Sequence, residues 1–347
     1  MSDTAVVIMA GGRGTRFWPA STVTRPKQFL ALTSGGEKTL LRETIERSLL
    51  LTGAGNVYVV SGMDHEARVR EICSPEIPAD NILLEPAGRN TAACIGWAAT
   101  VLRSRSGGGS PPVMVVLPSD HRVEPVEEFV RTVRSAVDTA ADGWLVTIGV
   151  PPSRPATGYG YLEMGEPVSP VAFRVERFRE KPPLEEAERM CRAGSFLWNA
   201  GMFVWRTDRI LEEIEAHIPV LGSGLSRLED PGWTPEAVYE ALPSVSVDYG
   251  VMEKAARVAL VRASFDWDDL GDWPSARRAG VTRGESLLVD SKDVTVWCED
   301  GSLTVVLGVS GISVVRTGGV TLVMSDSDSQ RLREIVRAIE ETRPDLV

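Results

Sequence analysis

The chain has 347 residues, is 43% hydrophobic and carries a formal charge of −11 with a sequence pI near 5.0. Such a length supports one large core or two unequal ones, while the acidic balance repels nucleic acid and anionic membrane surfaces. No apolar run approaches the roughly 20 residues that span a bilayer, and Met1 to Ala10 lacks a basic leader, so no membrane association and a cytoplasmic location are expected.

Apolar runs rich in Val and Ile at Ala5–Met9, Asn56–Val60, Val113–Leu117 and Trp144–Gly149 predict buried strands. Helical periodicity falls between them, near Thr39–Thr52, Asp64–Cys73, Thr91–Arg103 and Val126–Ala140. Continuous rather than alternating apolar runs imply strands covered on both faces, hence an α/β fold with a doubly wound, mostly parallel, Rossmann-like sheet. From Ser286 to Ser325 the pattern changes to short β-rich pieces, Thr295–Cys298, Leu303–Leu307, Ile312–Val315 and Val320–Met324. A closing helix is expected near Asp328–Thr342, with Leu332, Ile335, Val336 and Ile339 on one face. The boundary near Arg283–Ser286 divides residues 1–284, the α/β domain, from residues 285–347, a small C-terminal β-rich domain. Cys73, Cys94, Cys191 and Cys298 have no Cys-x-x-Cys spacing, and His65, His121 and His217 are scattered, which argues against a zinc site or a Ser-His relay.

Directly after the first strand comes Ala10-Gly-Gly-Arg-Gly-Thr-Arg16, then Phe17-Trp-Pro-Ala-Ser21 and Arg25-Pro-Lys-Gln-Phe-Leu30. Residues 4–36 contain no acid, where even spacing of the chain's 48 acids would place about four or five. They do contain Arg13, Arg16, Arg25 and Lys27. Gly11, Gly12 and Gly14 let the backbone turn its N–H groups onto phosphate oxygens, and the cations supply forked donors and a compact charge. The loop matches neither the Walker pattern nor the three-glycine dinucleotide fingerprint.

The run MAGGRGTRFWPASTVTRPKQFLAL resembles the signature of the sugar-nucleotide pyrophosphorylases. Its Phe-Trp-Pro and Pro-Lys-Gln-Phe-Leu pieces look like the single-function bacterial mannose-1-phosphate guanylyltransferases. The resemblance continues at Glu85-Pro-Ala-Gly-Arg-Asn-Thr-Ala92, Leu117-Pro-Ser-Asp-His121, Thr157-Gly-Tyr-Gly-Tyr161 and Phe178-Arg-Glu-Lys-Pro182. It extends through Trp198-Asn-Ala-Gly-Met-Phe203, Ser246-Val-Asp-Tyr-Gly-Val-Met-Glu253 and Trp267-Asp-Asp-Leu-Gly-Asp-Trp273.

The resemblance implies a nucleotidyltransferase fold that takes GTP and mannose 1-phosphate to GDP-mannose and pyrophosphate. Gly11, Gly12, Gly14, Thr15, Glu85, Gly88, Asn90 and Thr91 would bind the nucleotide, and Arg13, Arg16, Lys27 and Lys181 would carry the catalytic charge. Asn90 and Thr91 could equally cap the following helix. Gly160, Glu180 and Asn199 would meet the hexose hydroxyls, and Asp120 and Asp269 would hold Mg2+. Asp268 and Asp272 are neighbouring acids that could be mistaken for the second ligand. The C-terminal domain is expected to be left-handed β-helix-like and to pack on the catalytic domain or on a second subunit of a homodimer. Two alternatives stay open: another nucleotide or hexose phosphate in the same reaction, and a non-catalytic nucleotide-sugar sensor on the same fold.

Overall fold

The computed structural model describes residues 4–12, 14–33, 36–228, 230 and 232–347. Strands β1 (Thr4–Met9), β2 (Val57–Gly62), β3 (Ile82–Glu85) and β4 (Val113–Pro118) are interleaved with helices α1 (Leu40–Ser48), α2 (Glu66–Cys73) and α3 (Asn90–Arg105). A short β5 (Arg122–Glu124) and α4 (Val126–Ala141) precede β6 (Leu145–Val150), β7 (Tyr161–Pro167), β8 (Ala172–Arg179), α5 (Leu184–Ala193) and β9 (Phe196–Arg206). Three helices, α6 (Thr207–His217), α7 (Pro219–Arg227) and α8 (Pro235–Tyr239), lead to β10 (Val258–Arg262), a short β11 (Asp266–Asp268) and α9 (Trp273–Arg278). The remainder holds β12 (Ser286–Val289), β13 (Val294–Cys298), β14 (Thr304–Leu307), β15 (Ile312–Thr317), β16 (Val320–Ser325) and α10 (Leu332–Thr342). No helix among the described residues is long and apolar enough to cross a membrane.

Contacts divide the chain into two compact units, each assembled from separate stretches of sequence. The first comprises the residues up to Gly11, Ile45–Pro118 and Val123–Trp267; the second comprises Gly12–Thr44, Ser119–Arg122 and Asp268–Val347.

The first unit is built on a nine-stranded sheet in the order β3-β2-β1-β4-β9-β6-β10-β8-β7. Parallel pairing joins β3, β2, β1 and β4, and also β6 with β10, whereas β9 and β8 run against their neighbours. Seven strands therefore point one way, as the doubly wound, mostly parallel reading expects. The predicted strands are fully or almost fully buried because helices cover them, and Val6, Val7, Ile8, Val115 and Val116 are wholly inaccessible. The reading missed β3, β7, β8, β9 and β10. In β8 apolar side chains alternate with Arg and Glu, the mark of a half-exposed antiparallel strand rather than a buried run.

Between Thr147 and Gly149 the register of β6 against β9 shifts, and Gly149 faces Asn199 across the ladder. A bulge of this kind re-aims neighbouring side chains. Gly149 is required by packing as well, since a Cβ there would come within 2.7 Å of Leu197 Cδ1 and 3.0 Å of its Cβ.

In the second unit β12 pairs with β14 and β13 with β15, both in parallel. Ser286 meets Thr304 and Val294 meets Ile312, the same offset of 18 residues, so the chain advances by one regular coil between paired strands. The β-rich C-terminal region is thus as expected, with β16 added antiparallel to β15. Its core joins Phe17, Trp18, Leu30, Leu32 and Leu40 to Leu270, Trp273, Trp297, Val315, Leu332 and Val336. Phe17 meets the Trp273 ring edge-on at 5.0 Å, and Trp273 Nε1 donates to the Trp18 carbonyl at 3.2 Å. On α10, Leu332 and Val336 are buried and Ile339 is partly so, but Ile335 is 48% exposed, outside the apolar face assigned to it.

Gly149→Ala is expected to overpack the β6–β9 ladder and lower stability by about 1–3 kcal/mol. A shift of the urea midpoint at unchanged slope would report it.

Candidate active site

In the second unit, the turn after the first glycines places Gly14 in a left-handed conformation (φ 58°) against Lys27. A Cβ on Gly14 would lie 2.4 Å from Lys27 Cβ and 3.0 Å from its backbone nitrogen, so glycine is what lets the two segments meet. The Lys27 side chain is only 8% exposed. Its Nζ donates to Asp120 Oδ2 at 2.8 Å and to the backbone carbonyl of Asp269. Burial alone would raise the Asp120 carboxyl, but Lys27 and His121 hold it below the ordinary carboxylate range, so it is ionised. Thr44, fully buried, donates to the Ser119 carbonyl at 3.2 Å and fixes the turn that carries Asp120.

A cavity of about 350 Å³ opens here, lined by Gly14, Thr15, Arg16, Phe17, Lys27, Asp120, His121, Asp269, Gly271 and Arg333. The sequence-predicted Thr15, Arg16, Lys27, Asp120 and Asp269 are therefore brought together, while Arg13 lies outside the described residues. The two acids that could be mistaken for the second ligand have other work. Asp268 Oδ1 accepts from Leu270 N at 2.7 Å. Asp272 caps α9 in a reciprocal box with Ser275 and accepts from Ser329 Oγ at 2.9 Å. Arg25, counted among the loop's cations, forms a two-pronged pair with Glu299 at 3.0 Å on both arms, a structural clasp on the β-rich region.

In the first unit, Glu85 ends β3 and is 9% exposed. Burial pushes its carboxyl up to about 7, against the opposing effect of the Tyr239 hydroxyl, which donates to Oε1 at 3.3 Å. Gly88 and Asn90 are exposed beyond it, and Asn90 takes a left-handed conformation (φ 65°) at the start of α3. Neither Asn90 nor Thr91 is the cap of α3, since Arg89 occupies that position without a side-chain bond. Thr91 Oγ1 instead accepts from Val247 N at 2.8 Å, and Ala92 N donates to the Val245 carbonyl at 3.1 Å.

One residue beyond Val247, Asp248 accepts from Asn199 Nδ2 at 3.0 Å. The Asn199 oxygen takes a bond from Thr147 Oγ1 at 2.8 Å and another from Gly201 N at 3.2 Å, leaving one amide hydrogen for a ligand. Gly160 abuts this group, for a Cβ there would lie 2.4 Å from Glu180 Oε2 and 3.3 Å from Asn199 Cβ. Lys181 Nζ pairs with Glu180 Oε1, and although burial would lower its pKa, the Glu180 and Asp248 carboxylates raise it above the ordinary value. Gly160, Glu180, Lys181 and Asn199 thus form one cluster. Sequence reasoning assigned no role to its fifth member, Asp248, although the Ser246-Val-Asp-Tyr motif was visible. Burial first, then the Glu180 charge, pushes the Asp248 carboxyl up to about 6. Tyr159 walls the cluster, edge-on to Trp198 and Trp267 at 5.1 Å each.

A parallel-dominated sheet of this order with an acid-free glycine turn defines a nucleotide-handling α/β protein. The chain belongs to the nucleotidyl transferase family, which matches residues 5–283, and is an enzyme of that class. A mannose-1-phosphate guanylyltransferase of Escherichia coli (strain K12) is 35% identical over 352 residues, spanning 96% of this chain and 73% of its own. Another of that name from Sinorhizobium fredii (strain NBRC 101917 / NGR234) is 34% identical over 348 residues, with 96% and 67% covered. A solved structure from Thermus thermophilus, described as a mannose-1-phosphate geranyltransferase, superposes with a TM-score of 0.88 at 35% identity, covering 97% of this chain and 99% of that one.

The raised Glu85 carboxyl stabilises the fold fully below its unfolded pKa of about 4.5, and that contribution, at most about 3 kcal/mol, is lost as pH rises through about 7. Glu85→Gln is expected to flatten the pH dependence of the melting temperature between pH 4.5 and 8 relative to wild type. Parallel profiles for the two proteins would refute the assignment.

Proposed function

We propose that the enzyme, a nucleotidyl transferase acting on a sugar phosphate, joins GTP to mannose 1-phosphate and releases pyrophosphate. The observation that carries this reading is the cavity in which Lys27, Arg16 and two aspartates surround a glycine turn, a set of groups suited to a polyphosphate and its counter-ion. A phosphate oxygen of the sugar phosphate attacks the α-phosphorus in line, the bond to the β-phosphate oxygen breaks, and pyrophosphate departs with that oxygen's electrons. The nucleophile is already anionic, so no general base is needed, and the protein's task is to align two anions and neutralise the leaving group. Arg13, Arg16 and Lys27 serve the leaving group, and Lys181 holds the nucleophile. Gly11, Gly12, Gly14 and Thr15 turn backbone and hydroxyl donors toward the phosphates.

Asp120 and Asp269 suit a hard divalent cation, magnesium in this proposal, because both offer carboxylate oxygens and Asp120 is ionised. No cluster of three or more ligating side chains occurs among the described residues, so phosphate oxygens and water would complete the shell. When bound, the ion supplies positive charge to the phosphates.

Guanine offers a ring N–H and an exocyclic amine side by side, a pair that the Glu85 carboxylate can accept and adenine cannot present. Gly88, Asn90 and Thr91 flank that contact. Gly160, Glu180 and Asn199 offer mixed donors and acceptors to hexose hydroxyls. Geranyl transfer would ask for an apolar groove, whereas the cavity of the second unit is walled by Lys, Arg, Asp and His. A cytoplasmic location fits a reaction that consumes a nucleoside triphosphate.

Pyrophosphate release across GTP, ATP, UTP and dTTP, each with mannose and glucose 1-phosphate, tests the pairing. GTP with mannose 1-phosphate should dominate, and dominant turnover with a pyrimidine nucleotide would defeat it. In the same assay Lys27→Ala and Asp120→Asn should each lose at least about a hundredfold in kcat, and unchanged turnover in both would mean that the cavity is not the reaction site.

We further propose a homodimer, because Leu287, Leu288, Val289, Val305 and Leu307 on β12 and β14 are each 39% exposed or more, a contiguous apolar pair of strands. Light scattering should give twice the chain mass, and Val305→Ser with Leu307→Ser should shift it toward the monomer.

A further inference from the structure

Arg333 lies on α10, more than 300 residues along the chain from the glycine turn, yet it lines the cavity of Lys27, Asp120 and Asp269. Its helix is fixed there by neighbouring positions. Leu332 and Val336 are buried in the core that contains Phe17 and Trp18, and Trp18 Nε1 donates to the Leu346 carbonyl at 2.8 Å just beyond the helix. With Leu332 and Val336 turned inward, the flanking row of Arg333 and Arg337 is set along the edge of the buried face. Arg333, Arg337 and Thr15 also line an adjoining cavity with Ser21 and Thr22, so Arg333 stands where the two spaces meet.

The charge arrangement is unfavourable by itself. Arg333 and Arg337 are like charges four residues apart on one helix, and Arg16 is close enough to repel Arg333. Burial first, then Arg16 and Arg337, holds the Arg333 guanidinium below its ordinary pKa. None of the three arginines has an acid partner among the described residues, whereas Arg331, two positions away, pairs with Asp328 at 3.0 Å. Arg16 and Arg333, both on the wall of the cavity of Lys27 and Asp120, are the pair that an incoming multivalent anion neutralises.

Resting on the reading of this cavity as the polyphosphate site, we infer that Arg333 is a further binding residue for the reaction. Together with Arg16 it holds the two terminal phosphates of the nucleoside triphosphate, and hence pyrophosphate in the reverse direction. The C-terminal helix thereby supplies a ligand to the reaction as well as a packing face.

The test uses the full chain and inorganic pyrophosphate, with the nucleotide sugar converted back to triphosphate and sugar phosphate. Arg333→Gln should raise KM for pyrophosphate, and for the nucleoside triphosphate in the forward direction, by about ten- to a hundredfold. KM for the sugar 1-phosphate should move less than twofold. Arg333→Lys should recover part of the loss, since an ammonium keeps the charge but not the fork, and Arg337→Gln should behave as wild type because Arg337 lines only the adjoining cavity. Equal melting temperatures for wild type and Arg333→Gln exclude a folding defect. A pyrophosphate KM within twofold of wild type in a folded Arg333→Gln, or an equal rise in every KM, overturns the inference. If Lys27→Ala still abolishes turnover in that case, the polyphosphate reading stands and only the role of Arg333 falls; if Lys27→Ala is also silent, both fall.

Discussion

Lys27 brings three distant pieces of sequence to one point. Its ammonium is nearly buried and bonded to Asp120, 93 residues on, and to the carbonyl of Asp269, 242 residues on. A buried ammonium without a partner is strongly destabilising, so this contact is a condition of the fold. Residues 4–36 hold no acid, which means that Lys27 has no local counter-charge and must recruit one from elsewhere. The same absence of local acids thus accompanies a second unit that is discontinuous in sequence.

Once those segments are joined, apolar packing holds them. The Phe17–Trp273–Trp297 series runs from the glycine-turn segment through α9 into the β-rich region, with ring separations of 5.0 and 5.6 Å. Arg25 and Glu299 close the same arrangement at its polar edge. The motif Arg25-Pro-Lys-Gln-Phe-Leu30 therefore divides its labour: Arg25 and Phe29 hold the structure, and Lys27 faces the cavity.

Periodicity reveals elements whose environment is uniform along their length, and here that meant the buried strands β1, β2, β4 and β6 and the helices α1, α2, α3 and α4. It failed for β8, where one face is solvated, and for β9, whose apolar run is broken by Asn199 and Gly201. Local sequence also cannot report partnership across hundreds of residues. Arg25 and Lys27 look alike as loop cations, and only the position of Glu299 separates a clasp from a cavity charge. Asp268, Asp269 and Asp272 were likewise close to indistinguishable until the bonds to Leu270 N, Ser275 and Ser329 occupied two of them. The residues around Gly160, Glu180 and Asn199 were more readily found because each sits in a compact motif, but their need for Asp248 became visible only through the bond to Asn199.

The two units differ in the state of their carboxyls. In the cavity of the second, Lys27 keeps Asp120 ionised, whereas the first holds buried or partly buried carboxyls at Glu85, Glu180 and Asp248, which suit N–H and O–H donors. The Glu85 and Asp248 carboxyls are costly to ionise, as their upward shifts show, and they become favourable when a ligand supplies the missing hydrogen bonds. A site built this way discriminates mainly by penalty: an analogue lacking one donor leaves a buried acceptor unpaired, which costs more than the bond itself would contribute. On the proposed reaction, selectivity for base and sugar would reside in the acidic groups and affinity in the basic ones, which would reconcile a strongly negative protein with anionic substrates.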